Sequence, residues 1–187
     1  PKVSVVIPSY NCLAYLPKTL DSLFSQTFTD YEAIVVNDGS TDETQAWFER
    51  EVKDPRIKII SQENQGLAIA RNTGILNTSA EYVAFLDSDD LWESTKLEKQ
   101  VACLEQQPEV GLVYTWTSLI DEEDKPTGRV FDWSEDGNVW KTLTHWNLIG
   151  CGSVAMVRRA CLDEVGLFEP RLSRFNVNED WEMWLRI

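Results

Sequence analysis

Asp87-Ser88-Asp89-Asp90 places three carboxylates within one turn's length of chain. Along an extended segment residues two apart face the same way, so Asp87 and Asp89 converge while Ser88 points aside. Two hard oxygen donors of this kind, completed by phosphate oxygens of a ligand, suit Mg2+ or Mn2+. A calcium loop is excluded, because no glycine stands at the sharp-turn position such a loop needs. The charge balance calls for a cation as well. Thirty-one acidic against 17 basic residues give a net charge of −14, and so acidic a cleft holds a phosphate group only with a cation between them. The same imbalance, with no run of Lys or Arg, argues against nucleic acid as a partner.

Three further polar clusters recur at similar intervals: Pro8-Ser9-Tyr10-Asn11, Asn37-Asp38-Gly39-Ser40 and Glu63-Asn64-Gln65-Gly66. Any one alone reads as an ordinary turn or helix cap. Neither GxGxxG nor GxxxxGK[ST] occurs, so no glycine cradle is present to hold phosphate by backbone N–H groups. Zinc is disfavoured, because His145 is the single histidine and Cys12, Cys103, Cys151 and Cys161 lack CxxC spacing. The thiols are read as reduced and partly buried.

Each polar cluster follows a short apolar run: Val3 to Ile7, Ala33 to Val36, Ile57 to Ile60 and Tyr82 to Leu86. Such runs predict buried strands. Between them lie helical patterns, with Leu13, Leu16, Leu20, Leu23 and Phe24 at steps of three and four, then Glu43 to Val52, then Gly66 to Leu76. Strands and helices in alternation predict a mostly parallel, Rossmann-like α/β sheet flanked by helices. Ligands of such sheets bind outside the carboxyl ends of the strands, where all four clusters fall. Beyond Leu86 the spacing predicts a helix over Ser94 to Gln107, a strand over Leu112 to Thr117 and an α+β C-terminal part rich in tryptophan. With 187 residues and 43% hydrophobic content, one domain is expected, divided where the regular alternation stops into residues 1–118 and 119–187. No apolar run approaches the roughly 18 residues of a membrane span, and no secretory leader is visible. The helical pattern at Trp181 to Arg186 runs into the last residue, Ile187, so a further C-terminal part is expected.

Together the motifs resemble the inverting glycosyltransferases of family 2, whose domain has the GT-A fold. Val3 to Asn11 resembles that family's opening strand and loop, Val35 to Asp42 its second, Asn64 to Asn72 the segment before the metal motif, and Phe85 to Asp90 the DxD motif. The resemblance implies a nucleotide-sugar donor, usually a UDP-sugar, with Asp38 on the base and Pro8, Ser9, Tyr10, Asn11 and Asn64 around base and ribose. It implies Asp87 and Ser88 at ribose or sugar, Asp89 with Asp87 on Mn2+ or Mg2+, and Arg71 either touching phosphate or bracing the acidic motif. Asn178 to Arg186 resembles the family's ED segment, which makes Asp180 the base that deprotonates the acceptor hydroxyl, with Glu179 and Glu182 as rivals. A glycan, lipid-linked or protein-linked acceptor is implied, in the cytoplasm and at the inner membrane face if the expected C-terminal part docks there. The QxxRW element of processive synthases is absent, which favours single addition. Trp140 and Trp146 are read as core packing before acceptor stacking. Two other classes compete: a nucleotidyltransferase, against which the glycine-poor first loop argues, and a nucleotide-sugar-binding module without turnover, against which the full set of acids argues.

Overall fold

A computed structural model of the chain describes residues 1–174 and 178–187. Strands β1 (Val3–Ser9), β2 (Tyr31–Asp38), β3 (Ile57–Gln62) and β4 (Tyr82–Phe85) pair in parallel, connected by helices α1 (Leu16–Phe24), α2 (Thr44–Glu51) and α3 (Leu67–Leu76). Helix α4 (Lys96–Gln106) leads to the two-residue β5 (Leu112–Val113). A separate antiparallel ribbon follows, β6 (Thr117–Ile120) with β7 (Pro126–Phe131), its turn supplied by the acidic stretch 121–125. After α5 (Trp140–Leu143) the chain returns to the main sheet as β8 (Met156–Arg158), and α6 (Arg159–Val165) and α7 (Glu179–Arg186) close the fold. The central sheet has six strands in the order β3-β2-β1-β4-β8-β5, with β8 antiparallel to both neighbours.

The strands form where both faces can be buried. Val3, Val5 and Ile7 join Ala33, Val35, Ala84 and Leu86 in one apolar layer with Leu16 and Leu20 of α1 and Leu97 of α4. Val6, Val83 and Phe85 point the opposite way, into a layer with Ala68 and Ile75 of α3 and Met183 and Trp184 of α7. This two-residue alternation between two covered faces is why the strands read as unbroken apolar runs and not as alternating ones. Helix α3 lies so close to β1 that a Cβ at Gly74 would stand 2.2 Å from Val6 Cγ1.

β1 lies between β2 and β4, and the chain turns to opposite sides of the sheet on either hand of it. The crevice at that reversal is where an α/β sheet exposes its loops to a ligand. The strand expected over Leu112 to Thr117 is divided: its start pairs with β8, and its last residue opens the ribbon. Alternating burial through β6, against full exposure of β7, shows why propensity alone did not assign the partner.

Candidate functional site

The loops after β1, β2, β3 and β4 meet in one cleft of roughly 650 Å3, lined by Pro8, Ser9, Tyr10, Asp38, Asn64, Asp87, Ser88 and Asp89 among others. Tyr10 is 49% exposed, an aromatic face left open at the cleft mouth. Ser9 Oγ is buried there with no hydrogen-bond partner in the described structure, and a buried polar atom without a partner on a cleft wall is suited to a polar ligand.

Asp38 ends β2 and is 3% exposed. Its Oδ1 accepts from Gln62 Nε2 at 2.7 Å and from the Gln65 N–H at 3.0 Å, and its Oδ2 accepts from the Gly66 N–H at 2.8 Å. Asn64 donates from Nδ2 to the Asp38 carbonyl at 3.0 Å. The carboxylate thus organises the loop that opens α3 as well as facing the cleft. Gly39 permits the close approach of the two loops: it has φ 74°, and a Cβ there would sit 2.6 Å from Asn64 N. Asn11 lies outside the cleft lining and latches the neighbouring loop, its Oδ1 accepting from the Thr41 N–H at 2.8 Å and the Asp42 N–H at 3.3 Å.

The acidic motif is held from behind. The Asp87 N–H donates to Ser153 Oγ at 2.9 Å, Trp92 Nε1 donates to the Ser153 carbonyl at 2.8 Å, and Thr19 Oγ1 donates to the buried Ser88 carbonyl at 3.0 Å. Asp89 is exposed and Asp87 half-buried. Among the described residues no three His, Cys, Asp or Glu side chains form a ready-made metal cage. A pair of carboxylate oxygens at an open cleft fits Mg2+ or Mn2+, which ordinarily take one or two carboxylates and complete their shell with water and substrate phosphate. Asp90 is half-buried; burial pushes its carboxyl up, Asp87 and Asp89 add to that, and the Ser153 hydroxyl opposes it.

Arg71 is 1% exposed and lies behind the cleft wall. Nη2 donates to Asp87 Oδ1 at 2.7 Å and Nη1 to Glu179 Oε1 at 2.5 Å. Of the two roles the sequence leaves open, this geometry is that of a brace. Burial pulls the guanidinium down, and the charges of Asp87 and Glu179 outweigh it, so its affinity for the proton stays above the ordinary value. Asp180 stands next to Glu179 on α7, and its Oδ1 accepts from its neighbour's N–H, that of Trp181, at 2.6 Å. Burial, reinforced by Glu179 and Asp87 and opposed by Arg71, pushes Asp180 up to about 6. That brings a carboxylate into the range where it accepts a proton efficiently near neutral pH.

By sequence, Gly152 and Ser153 fall in a segment, Gly150 to Arg159, that resembles the family's strand before the acceptor region, and neither they nor Trp92 were tied to the acidic motif that they support from distant parts of the chain. Their signal is purely tertiary, since no local spacing ties residue 153 to residue 87. Trp146 packs edge-on against Trp133 at 4.6 Å, in line with a packing role, whereas Trp140 is 59% exposed.

Residues 4–166 match the family described as Glycosyl transferase family 2. A putative teichuronic acid biosynthesis glycosyltransferase of Bacillus subtilis, TuaG, is 32% identical across 100% of this chain and 72% of its own length. The chain spans only 26% to 30% of the first curated relatives it matches. Among solved structures, TarS of S. aureus shares the fold with a TM-score of 0.78 at 24% identity, over 100% of this chain and 33% of that one. TarS 1–349 in complex with UDP-GlcNAc gives 0.65 at 25% identity, over 90% and 49%. The mannosyltransferase PcManGT of Pyrobaculum calidifontis, in complex with GDP-Man and Mn2+, gives 0.66 at 25% identity, over 91% and 48%.

Proposed function

The chain belongs to glycosyl transferase family 2, and on that premise we propose that it is a metal-dependent inverting transferase moving a sugar from a nucleoside diphosphate, by preference UDP, to an acceptor hydroxyl. One observation carries the reading. A single guanidinium, Arg71, touches both the acidic motif at Asp87 and the residue beside Asp180, so the donor side and a carboxylate raised to about 6 share one site.

The roles are those the family resemblance implies. Pro8, Ser9, Tyr10, Asp38, Asn64, Asp87 and Ser88 all line the cleft, the first five assigned to base and ribose, and Asp87 and Ser88 to ribose or sugar. Asp89 with Asp87 would hold Mn2+ or Mg2+, which supplies positive charge against the departing diphosphate; the PcManGT complex with Mn2+ supports a divalent ion. Asp180 takes the proton from the acceptor hydroxyl, the new C–O bond forms at the anomeric carbon from the face opposite the diphosphate, and the old C–O bond breaks with its electron pair leaving on the diphosphate. Glu179 is the poorer base, because its side chain is 8% exposed and Oε1 already accepts from Arg71.

The acceptor is a glycan, lipid-linked or protein-linked hydroxyl, consistent with the polysaccharide pathway named for TuaG. No described helix is long and apolar enough to cross a membrane. Independently of that, the family resemblance supports a reaction in the cytoplasm, at the membrane face for a lipid-linked acceptor. Calorimetry of UDP with Mn2+, with Mg2+ and with EDTA tests the donor site. At least tenfold weaker binding in EDTA is expected, and equal affinity in all three would sink the metal requirement.

A further inference from the structure

Helix α7 carries Asp180 in its first turn, so whatever holds the start of that helix sets where the carboxylate stands. Asn178 before it has φ 53° and makes no side-chain cap, while Asp180 Oδ1 accepts from the Trp181 N–H at 2.6 Å and Trp181 Nε1 donates to the Leu143 carbonyl at 2.8 Å. Farther along, Met183 and Trp184 are buried, and Trp184 packs with Phe85 and Phe168 at 6.1 Å. That packing and the Trp181 hydrogen bond seat the helix against α5 and the sheet, but neither ties its first turn to the acidic motif. What links the first turn to the acidic motif is the ion pair between Glu179 and Arg71, whose side chains are 8% and 1% exposed and whose positions lie 108 residues apart.

Arg71 is itself enclosed. Phe168 lies 5.5 Å from its guanidinium carbon, Asp87 holds Nη2, and the bare Gly152 backbone closes the remaining side so tightly that a Cβ would stand 2.7 Å from Nη2. Among the described residues its Nε is buried without a partner. A site chosen for stability would not leave that donor unmet, and a buried ion pair adds little net stability over an apolar replacement. What the pair does supply is direction, since its hydrogen bonds fix a distance and an angle between α3, the end of β4 and the start of α7.

We propose that Glu179 is a positioning residue for the transfer step, holding the first turn of α7 through Arg71 in register with Asp87, so that Asp180 meets the attacking hydroxyl only against the donor motif. This rests on the reading of Asp180 as the base. Glu179 touches neither donor nor acceptor; it acts through Arg71 on the placing of its neighbour.

The test is UDP release from UDP-glucose, UDP-galactose and UDP-N-acetylglucosamine with water as acceptor, measured in the full chain for E179Q, E179D, D180N and the double variant E179Q/D180N, with helical circular dichroism to confirm folding. In E179Q, kcat falls roughly 10- to 100-fold while the donor KM and the affinity for UDP stay within about threefold. E179D, which keeps the charge at shorter reach, recovers part of the rate. The double variant is no slower than D180N, because a residue that acts only through Asp180 has nothing left to position. Wild-type turnover by E179Q beside an inactive D180N overturns the positioning role alone, as does a double variant slower than D180N by the full E179Q factor. Wild-type turnover by D180N overturns the base assignment, and the positioning role with it.

Discussion

Replacing Asp180 by Asn removes a charge that the folded protein holds at a cost, so the variant is expected to lose transfer and gain stability. Asp180 is raised from 3.8 to about 6, first by burial and then by Glu179 and Asp87. A rise of about two units, at roughly 1.36 kcal/mol per unit, corresponds to about 3 kcal/mol. The sign follows from where the proton is held more tightly. The folded state binds it more strongly than the unfolded chain, so the cost is absent below the unfolded value of 3.8, grows as pH rises, and is complete above about 6. Asn is neutral at every pH, and its carbonyl can still accept the Trp181 N–H. Discounting for partial solvent access, the variant gains about 1–3 kcal/mol at pH 7.5, or roughly 3–10 °C in Tm for a chain of this size, and under about 1 kcal/mol at pH 4. Thermal unfolding followed by circular dichroism at the two pH values measures the gain, and UDP release measures the loss, which should exceed about a hundredfold. A variant equally or less stable than the parent at pH 7.5 would refute the claim that a desolvated carboxylate is kept charged here.

Two further perturbations probe the scaffold. Gly152→Ala sets a methyl 2.7 Å from Arg71 Nη2, where the guanidinium cannot retreat; urea denaturation should show a loss of about 1–3 kcal/mol, and an unchanged midpoint would mean the brace is loose. Asp38→Asn keeps one acceptor but turns an N–H2 toward the Gly66 N–H, so affinity for UDP by calorimetry should drop about tenfold, the equivalent of roughly 1.4 kcal/mol, while equal affinity would show that the loop opening α3 does not shape the donor site.

The four strands and their loops were legible because each strand is a short apolar run, buried on both faces in β1, β2 and β4 and partly covered in the edge strand β3, and because each run ends in polar residues that a parallel sheet gathers at one edge. The cleft follows from that alone: of the site residues named for the donor and metal, all but Asn11 and Arg71 line it. Those two belong to the donor segments by sequence but lie outside the lining, because spacing reports which edge a residue reaches and not how deep it lies. Lys96 shows the same limit. In a helix of mixed charge it reads as solvated, yet it is 7% exposed, donates to Gln100 Oε1 at 2.6 Å and lies 4.2 Å over the Trp92 ring, and burial pulls it down to about 7. Nothing local to Leu112–Val113 could show that its partner is β8, more than forty residues later, since strand pairing is decided by tertiary competition.

The place of β8 in the sheet also sets a clock on synthesis. Tyr82 pairs with Arg158 across the β4–β8 ladder, so the apolar edge of β4 waits for a stretch of over seventy residues to be translated before its partner exists. At roughly 5–20 residues per second that wait is about 4–15 s, long beside the microseconds to milliseconds in which local pairings form. Through it the nascent chain carries an open strand edge able to pair with another copy emerging from the same polysome. Slower decoding between the codons for Leu86 and Arg158 lengthens that exposure and costs yield without altering a single contact of the finished protein.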